Sequence, residues 1–156
     1  EVDEAKALEL YEDVAKLGHL GAMVRLAWAY TTGSDLGVEE DNEKALKLYE
    51  EAAALEDPDA QCSLAMAYEH SDLGVEEDKV KALELCTLAA GNGNSDALLR
   101  LAKAYSPGGN LGVEVDDAKI TELKAKALEV YRLAAKDGDS YALLRLAKAH
   151  LPGGDF

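Results

Sequence analysis

Apolar and polar positions alternate along the chain in two recurring phrases. The first, A-x-x-x-L-A-x-A-Y/H, opens at Ala22, Ala60, Ala97 and Ala142. The second, KAL-x-L/V-Y/C, has its Ala at Ala7, Ala45, Ala82 and Ala127. Both series step by 38, 37 and 45 residues, so the two phrases share one period. In the first, Ala22, Leu26, Ala29 and Tyr30 fall at i, i+4, i+7 and i+8. In the second, Ala45, Leu48, Tyr49, Ala52 and Ala53 fall at i, i+3, i+4, i+7 and i+8. These spacings put the apolar side chains on one face of a helix of about three turns. Stripes dominated by Ala let neighbouring backbones approach closely, with Leu and Tyr filling the gaps. A repeat of this length whose elements cannot bury their stripes alone predicts a stack of helix pairs.

The punctuation between phrases agrees. Gly18, Gly93 and Gly138 each stand four residues before an opening Ala, where a left-handed residue ends the preceding helix. The second repeat has Glu56 there, followed by Asp57-Pro58, a capping residue and a first-turn proline. The phrase LGVEED at 36–41 returns unchanged at 73–78 and as LGVEVD at 111–116. Its Gly37, Gly74 and Gly112 permit a turn, Leu36 and Val38 can tuck under helix ends, and Asp41, Asp78 and Asp116 or Asp117 can cap the next helix. The loop reads as a joint. The 45-residue step adds seven residues before Ala127, which rotate a helix by only about −20°. Ile120, Leu123, Ala127, Val130, Tyr131 and Ala134 therefore continue one face of a lengthened helix.

The repeat resembles the SEL-one-like repeat (SLR), a relative of the tetratricopeptide repeat, whose phrase runs A-x-x-x-L-G-x-x-Y-x-x-G-x-G-V-x-x-D-x-x-K-A-x-x-x-Y-x-x-A-A-x-x-G. Here it runs from Ala22 through Leu26, Ala27, Tyr30, Gly33, Gly37, Val38, Asp41, Lys44, Ala45, Tyr49, Ala52 and Ala53, and it returns in every copy. Ala27 replaces the usual Gly, the loop before Gly-Val is longer, and Glu56 replaces a helix-ending Gly. The resemblance implies an all-α, right-handed α-solenoid of antiparallel helix pairs spanning 1–156, with pairs at 1–30, 42–68, 79–105 and 117–150. It also implies a concave face that holds a protein or peptide partner.

Composition narrows the partners. With 31 acidic and 16 basic residues the net charge is −15, which leaves no cationic surplus for phosphate backbones, so nucleic acid is not expected as a partner. No apolar run approaches a membrane span, so membrane insertion is not expected either. The amino end, EVDEAKALELY, shows neither a signal-peptide pattern nor a starting Met. The chain is thus read as a segment of a longer array, leaning towards a cytoplasmic setting. Both termini cut a repeat, which suggests end-to-end self-association.

Candidate chemistry is sparse. Cys62 and Cys86 occupy helical positions without metal-ligand spacing and are expected as buried, reduced thiols. GNGNSD at 91–96 lacks the third Gly and the preceding strand of a nucleotide loop. His19, His70 and His150 have no ligand or catalytic spacing, and GGDF at 153–156 reads as the start of another loop. No catalytic residue, cofactor or metal is assigned. Cysteine-rich relatives suggest β-lactam hydrolysis as a third possibility, but this chain lacks their paired cysteines.

Subtracting the structural stripe from the first helix of each motif leaves an opposite face. Its row is Val24 and Trp28, Cys62 and Met66, Leu99 and Lys103, and Leu144 and Lys148, flanked by Arg25, Arg100 and Arg145. Val, Leu and Cys there would equally serve to complete helix packing. Trp28 and Met66 suit an adaptable peptide site better. The expected function is a non-catalytic interaction scaffold. The alternative is a structural segment that works through its ends.

Overall fold

The computed structural model describes residues 3–33 and 36–150, and the GGDF tail lies outside them. The described residues form α1 (Glu4–Lys16), α2 (Leu20–Thr32), α3 (Asn42–Ala54), α4 (Pro58–His70), α5 (Lys79–Gly91), α6 (Ser95–Ala104), α7 (Asp117–Lys136) and α8 (Ser140–Ala149). Each helix packs on its predecessor and successor in an all-α, right-handed solenoid.

Side-chain caps start every helix. Asp41, Asp78 and Asp116 accept the backbone N–H of Lys44, Lys81 and Lys119 at 3.0, 2.9 and 2.9 Å. Asp57 accepts from Asp59 and Ala60, with Pro58 in the first turn, and Asn94 accepts from Ala97 at 2.7 Å. His19 fills the matching place in the first motif, its Nδ1 accepting from Ala22 N–H at 3.3 Å. The histidine with no assignable chemistry is therefore a helix cap. Such caps contribute about 1 kcal/mol each.

The LGVEED joint is built the same way three times. The N–H groups of Asp41, Asp78 and Asp116 donate to the carbonyls of Tyr30, Tyr68 and Tyr105 at 2.8, 2.9 and 3.1 Å, clipping each loop to the end of the helix before it. Leu36, Leu73 and Leu111 are buried beneath these clips. The loop's recurrence is thus accounted for by backbone geometry and burial.

The core consists of alanines with no accessible surface, including Ala27, Ala45, Ala65, Ala82, Ala97 and Ala127, wedged by Leu26, Tyr49, Leu64, Leu101 and Tyr131. Both thiols are free and buried, as expected. The short turns pass through left-handed backbone at Gly18, Gly93 and Gly138, with φ of 86°, 88° and 89°. Glu56 is forced into the same region at φ 64°. Because a side chain there costs roughly 1–2 kcal/mol, Glu56→Gly is expected to stabilise the chain by about 1 kcal/mol, offset in part by the greater entropy of the unfolded glycine. A chemical denaturation midpoint that falls, or stays unchanged, would contradict the strain at this position.

The lengthened helix is present: α7 has 20 residues against 13 in α3, with Leu123, Ala127 and Tyr131 buried along one face. One consequence departs from the sequence expectation. The Asp116 clip to Tyr105 is kept, so the extra seven residues cannot be absorbed at the loop. At 1.5 Å per residue they carry the far end of α7, and α8 with it, about 10 Å along the helix axes. α8 is thereby out of step with α2, α4 and α6.

Candidate peptide groove

The inner helices α2, α4 and α6 border a row of adjoining clefts. The largest, about 790 Å³, lies between α4 and α6, with Cys62, Met66, Leu99, Arg100, Lys103 and Lys124 among its lining residues. A second, about 560 Å³, is bordered by Trp28, Tyr49, Ser63 and Met66, and a third, about 290 Å³, by Val24, Arg25, Trp28 and Asp59. Ser63 borders all three, so the clefts adjoin one another between Trp28 and Lys103.

The structure sorts the sequence candidates. Trp28 is 45% exposed and Met66 39%, both on the rim of the groove. Val24 and Leu99 are half-buried in its walls, and Lys103 is exposed at its end. Cys62 lines the large cleft but is only 6% exposed and packs with Ala89 and Ala97, so it contributes to the floor. Burial pushes its thiol up to about 11, and that of Cys86 to about 12, which leaves neither a nucleophile near neutral pH. Leu144 and Lys148 are not among the lining residues of these three clefts, in keeping with the axial step of α8. Lys124, on the extra turns of α7, stands in that place instead.

The flanking arginines serve the scaffold. Arg100 pairs with the carboxylate of Glu69 at 3.1 Å, and Glu69, whose side chain is 7% exposed, also accepts from the Asn110 amide. The positive charge of Arg100 is thus already matched. The guanidinium of Arg25 lies 4.9 Å from the Trp28 ring centre and 5.9 Å from that of Tyr11, tying the indole to α1. Arg145 lies 5.7 Å from the Tyr131 ring, and Tyr141 meets that ring edge-on at 6.3 Å.

Two carboxylates also line the site, from the position one before the opening Ala, which the same spacing puts on the groove-facing side of the helix. Asp59 and Asp96, in the first turns of α4 and α6, line the large cleft at the end away from Lys103. Asp59 accepts from the Asn94 amide at 2.7 Å, while crowding of its carboxyl away from water, and then the neighbouring Asp57, hold its pKa above the usual carboxylate value. Asp96 accepts from the Tyr131 hydroxyl at 3.2 Å. Both occupy the position just before the opening Ala, so the repeat alignment marks the place, though not its role. Among the described residues no cluster of His, Cys, Asp and Glu is arranged to hold a metal ion, and no helix is long and apolar enough to cross a membrane.

Against known proteins, the chain has no match among curated sequences. Among solved structures, it is similar to a Sel1 repeat protein from Oxalobacter formigenes, at 30% identity and a TM-score of 0.71, over 78% of this chain and 47% of that one. It is also similar to c5321, a protective antigen of uropathogenic Escherichia coli strains displaying an SLR fold, at 28% identity and a TM-score of 0.65, over 94% of this chain and 29% of that one. The chain thus spans less than half the length of either. The sequence profile of the Sel1 repeat matches residues 1–19, 21–57, 58–94 and 95–139, and with nearly the whole length accounted for by that repeat and by its solenoid geometry, the chain belongs to the Sel1 repeat family.

Proposed function

We propose that the chain is a non-catalytic interaction module that receives an extended or helical peptide segment of a partner protein in the groove from Trp28 to Lys103. Sel1 repeat proteins are generally protein-interaction scaffolds, and the groove is this chain's own support for that role. The observation that carries it is the pairing of two large, half-exposed apolar side chains, Trp28 and Met66, on the rim of a continuous concavity. A wide ring and a flexible thioether in such a setting are the residue types that anchor peptides.

Trp28 is the chain's single tryptophan, so its fluorescence reports on the groove directly. Binding of a partner segment is expected to shift its emission to the blue. Trp28→Ala should weaken that partner's binding, followed by calorimetry, by about 2 kcal/mol or more, as loss of a central aromatic anchor does. The melting temperature should change little, since the indole is 45% exposed. A sharp fall in melting temperature with unchanged affinity would make Trp28 a packing residue and remove the groove's main support.

A second proposal, end-to-end association, rests on a different observation. Leu143 is 53% exposed while its repeat equivalents Leu98 and Met23 are 4% and 9% exposed, and Leu10 and Val14 on α1 are likewise open. Those are surfaces that an adjoining repeat covers inside the array. Association through them makes no demand on Trp28, and this separates the two proposals.

A further inference from the structure

We infer that the groove selects a segment carrying an acidic group beside its apolar anchor, with Lys103 and Lys124 as the receiving pair. The inference rests on the peptide-groove proposal above and specifies the partner's chemistry. In a chain with 31 acidic and 16 basic residues, the surface as a whole repels anions. The large cleft departs from this, since three cations, Arg100, Lys103 and Lys124, line it against two carboxylates, Asp59 and Asp96. The charges are also separated along the cleft. Asp59 and Asp96 belong to the first turns of α4 and α6, whereas Lys103 lies in the last turn of α6, roughly 10 Å away at 1.5 Å per residue.

Pairing singles out the two lysines. Arg100 is held by Glu69, but among the described residues neither Lys103 nor Lys124 has a carboxylate within ion-pairing distance. Lys124 is half-buried and lines the same cleft as Lys103, so an anion placed between the two would meet two positive charges. Met66 and Leu99 form the apolar surface between the charged ends. The complementary ligand is dipolar: a carboxylate towards Lys103 and Lys124, an apolar side chain over Met66 and Leu99, and a cation towards Asp59 and Asp96. Lys124 reaches this site only because α7 carries its extra turns. The lengthened helix therefore sets specificity as well as spacing.

The test is selection of a phage-displayed library of random dodecapeptides on the immobilised native chain, on a Lys103→Glu/Lys124→Glu variant, and on a Trp28→Ala/Met66→Ala variant. Circular dichroism first confirms that all three are folded. The native chain is expected to enrich peptides with Asp or Glu close to a large apolar residue. The Lys103→Glu/Lys124→Glu variant should keep the apolar preference, lose the acidic one, and bind the native-selected acidic peptides at least tenfold more weakly. Native selection of apolar peptides enriched only in basic residues, as the overall charge alone favours, would overturn the inference and leave the groove standing. Failure of the native chain to enrich any sequence, or equal enrichment by the Trp28→Ala/Met66→Ala variant, would overturn the groove proposal itself.

Discussion

Removal of residues 118–122 is expected to detach the last helix pair, whereas removal of 118–124 is expected to leave the solenoid folded. The longer deletion takes out one heptad and turns the rest of α7 by only about −20°. It joins Asp117 to Ala125, so that Asp116 stands four residues before Ala127, as Asp41 stands four before Ala45. The stripe of Ala127 and Tyr131 stays on the core side and the cap at Asp116 is kept. Five residues turn the helix by about 140° at 100° per residue. Ala127 and Tyr131 would then face water and the seat of α8 would be lost. Circular dichroism and limited proteolysis distinguish the two: the shorter deletion should lose the helical signal of α7 and α8 and become cleavable there. Equal helicity and equal protease resistance would show that α7 is not in register with the core through this face. The heptad deletion should also draw α8 back by about 10 Å. Leu144 and Lys148 would then come level with Leu99 and Lys103 as Lys124 is lost.

Gly109→Ala is expected to be the most damaging single substitution in the joints. A Cβ at this position would lie 2.0 Å from the Ala104 carbonyl oxygen and 2.8 Å from that of Lys103. Both obstacles are helix backbone, so neither can rotate aside. The loop is fixed on its other side by Leu111, 4% exposed and packed with Ala82 and Ala104. Overpacking of this kind costs about 3 kcal/mol. Gly112→Ala is the control, because φ there is 73° but nothing lies within 4 Å of the added carbon. Its cost is that of left-handed backbone alone, about 1 kcal/mol. Urea midpoints that fall equally for both variants would rule out the steric account.

The repeat, the caps and the left-handed turns can all be read from spacing, because each depends on residues within one or two helical turns. Asp41, Asp78 and Asp116 cap as expected, and Gly18, Gly93 and Gly138 adopt the required backbone. Trp28, Met66, Leu99 and Lys103, which spacing puts on one side of their helices, border these clefts for the same reason, since periodicity reports the angle of a residue about its helix axis. It does not report position along that axis. Seven added residues leave the angle almost untouched but displace α8 by two turns, so spacing puts Leu144 and Lys148 in the row and gives no sign of Lys124. Cys62 has the groove-facing angle yet is covered by Ala89 and Ala97 from the neighbouring helices, which no single-helix pattern contains. Pairing of Arg100 with Glu69 links residues 31 apart, and that contact too exists only once the helices are stacked.

The order of packing has a mechanical side. Every helix leans on the one before and the one after, so α2, α4 and α6 are joined mainly through α3 and α5. Small tilts at each junction add up along the stack, and the spacing of the inner helices changes with the pitch of the whole. A segment seated from Trp28 to Lys103 would bridge three inner helices at once and act as a brace against that flexing. Tension along the superhelix, by opening the pitch, would in turn loosen the grip on the segment.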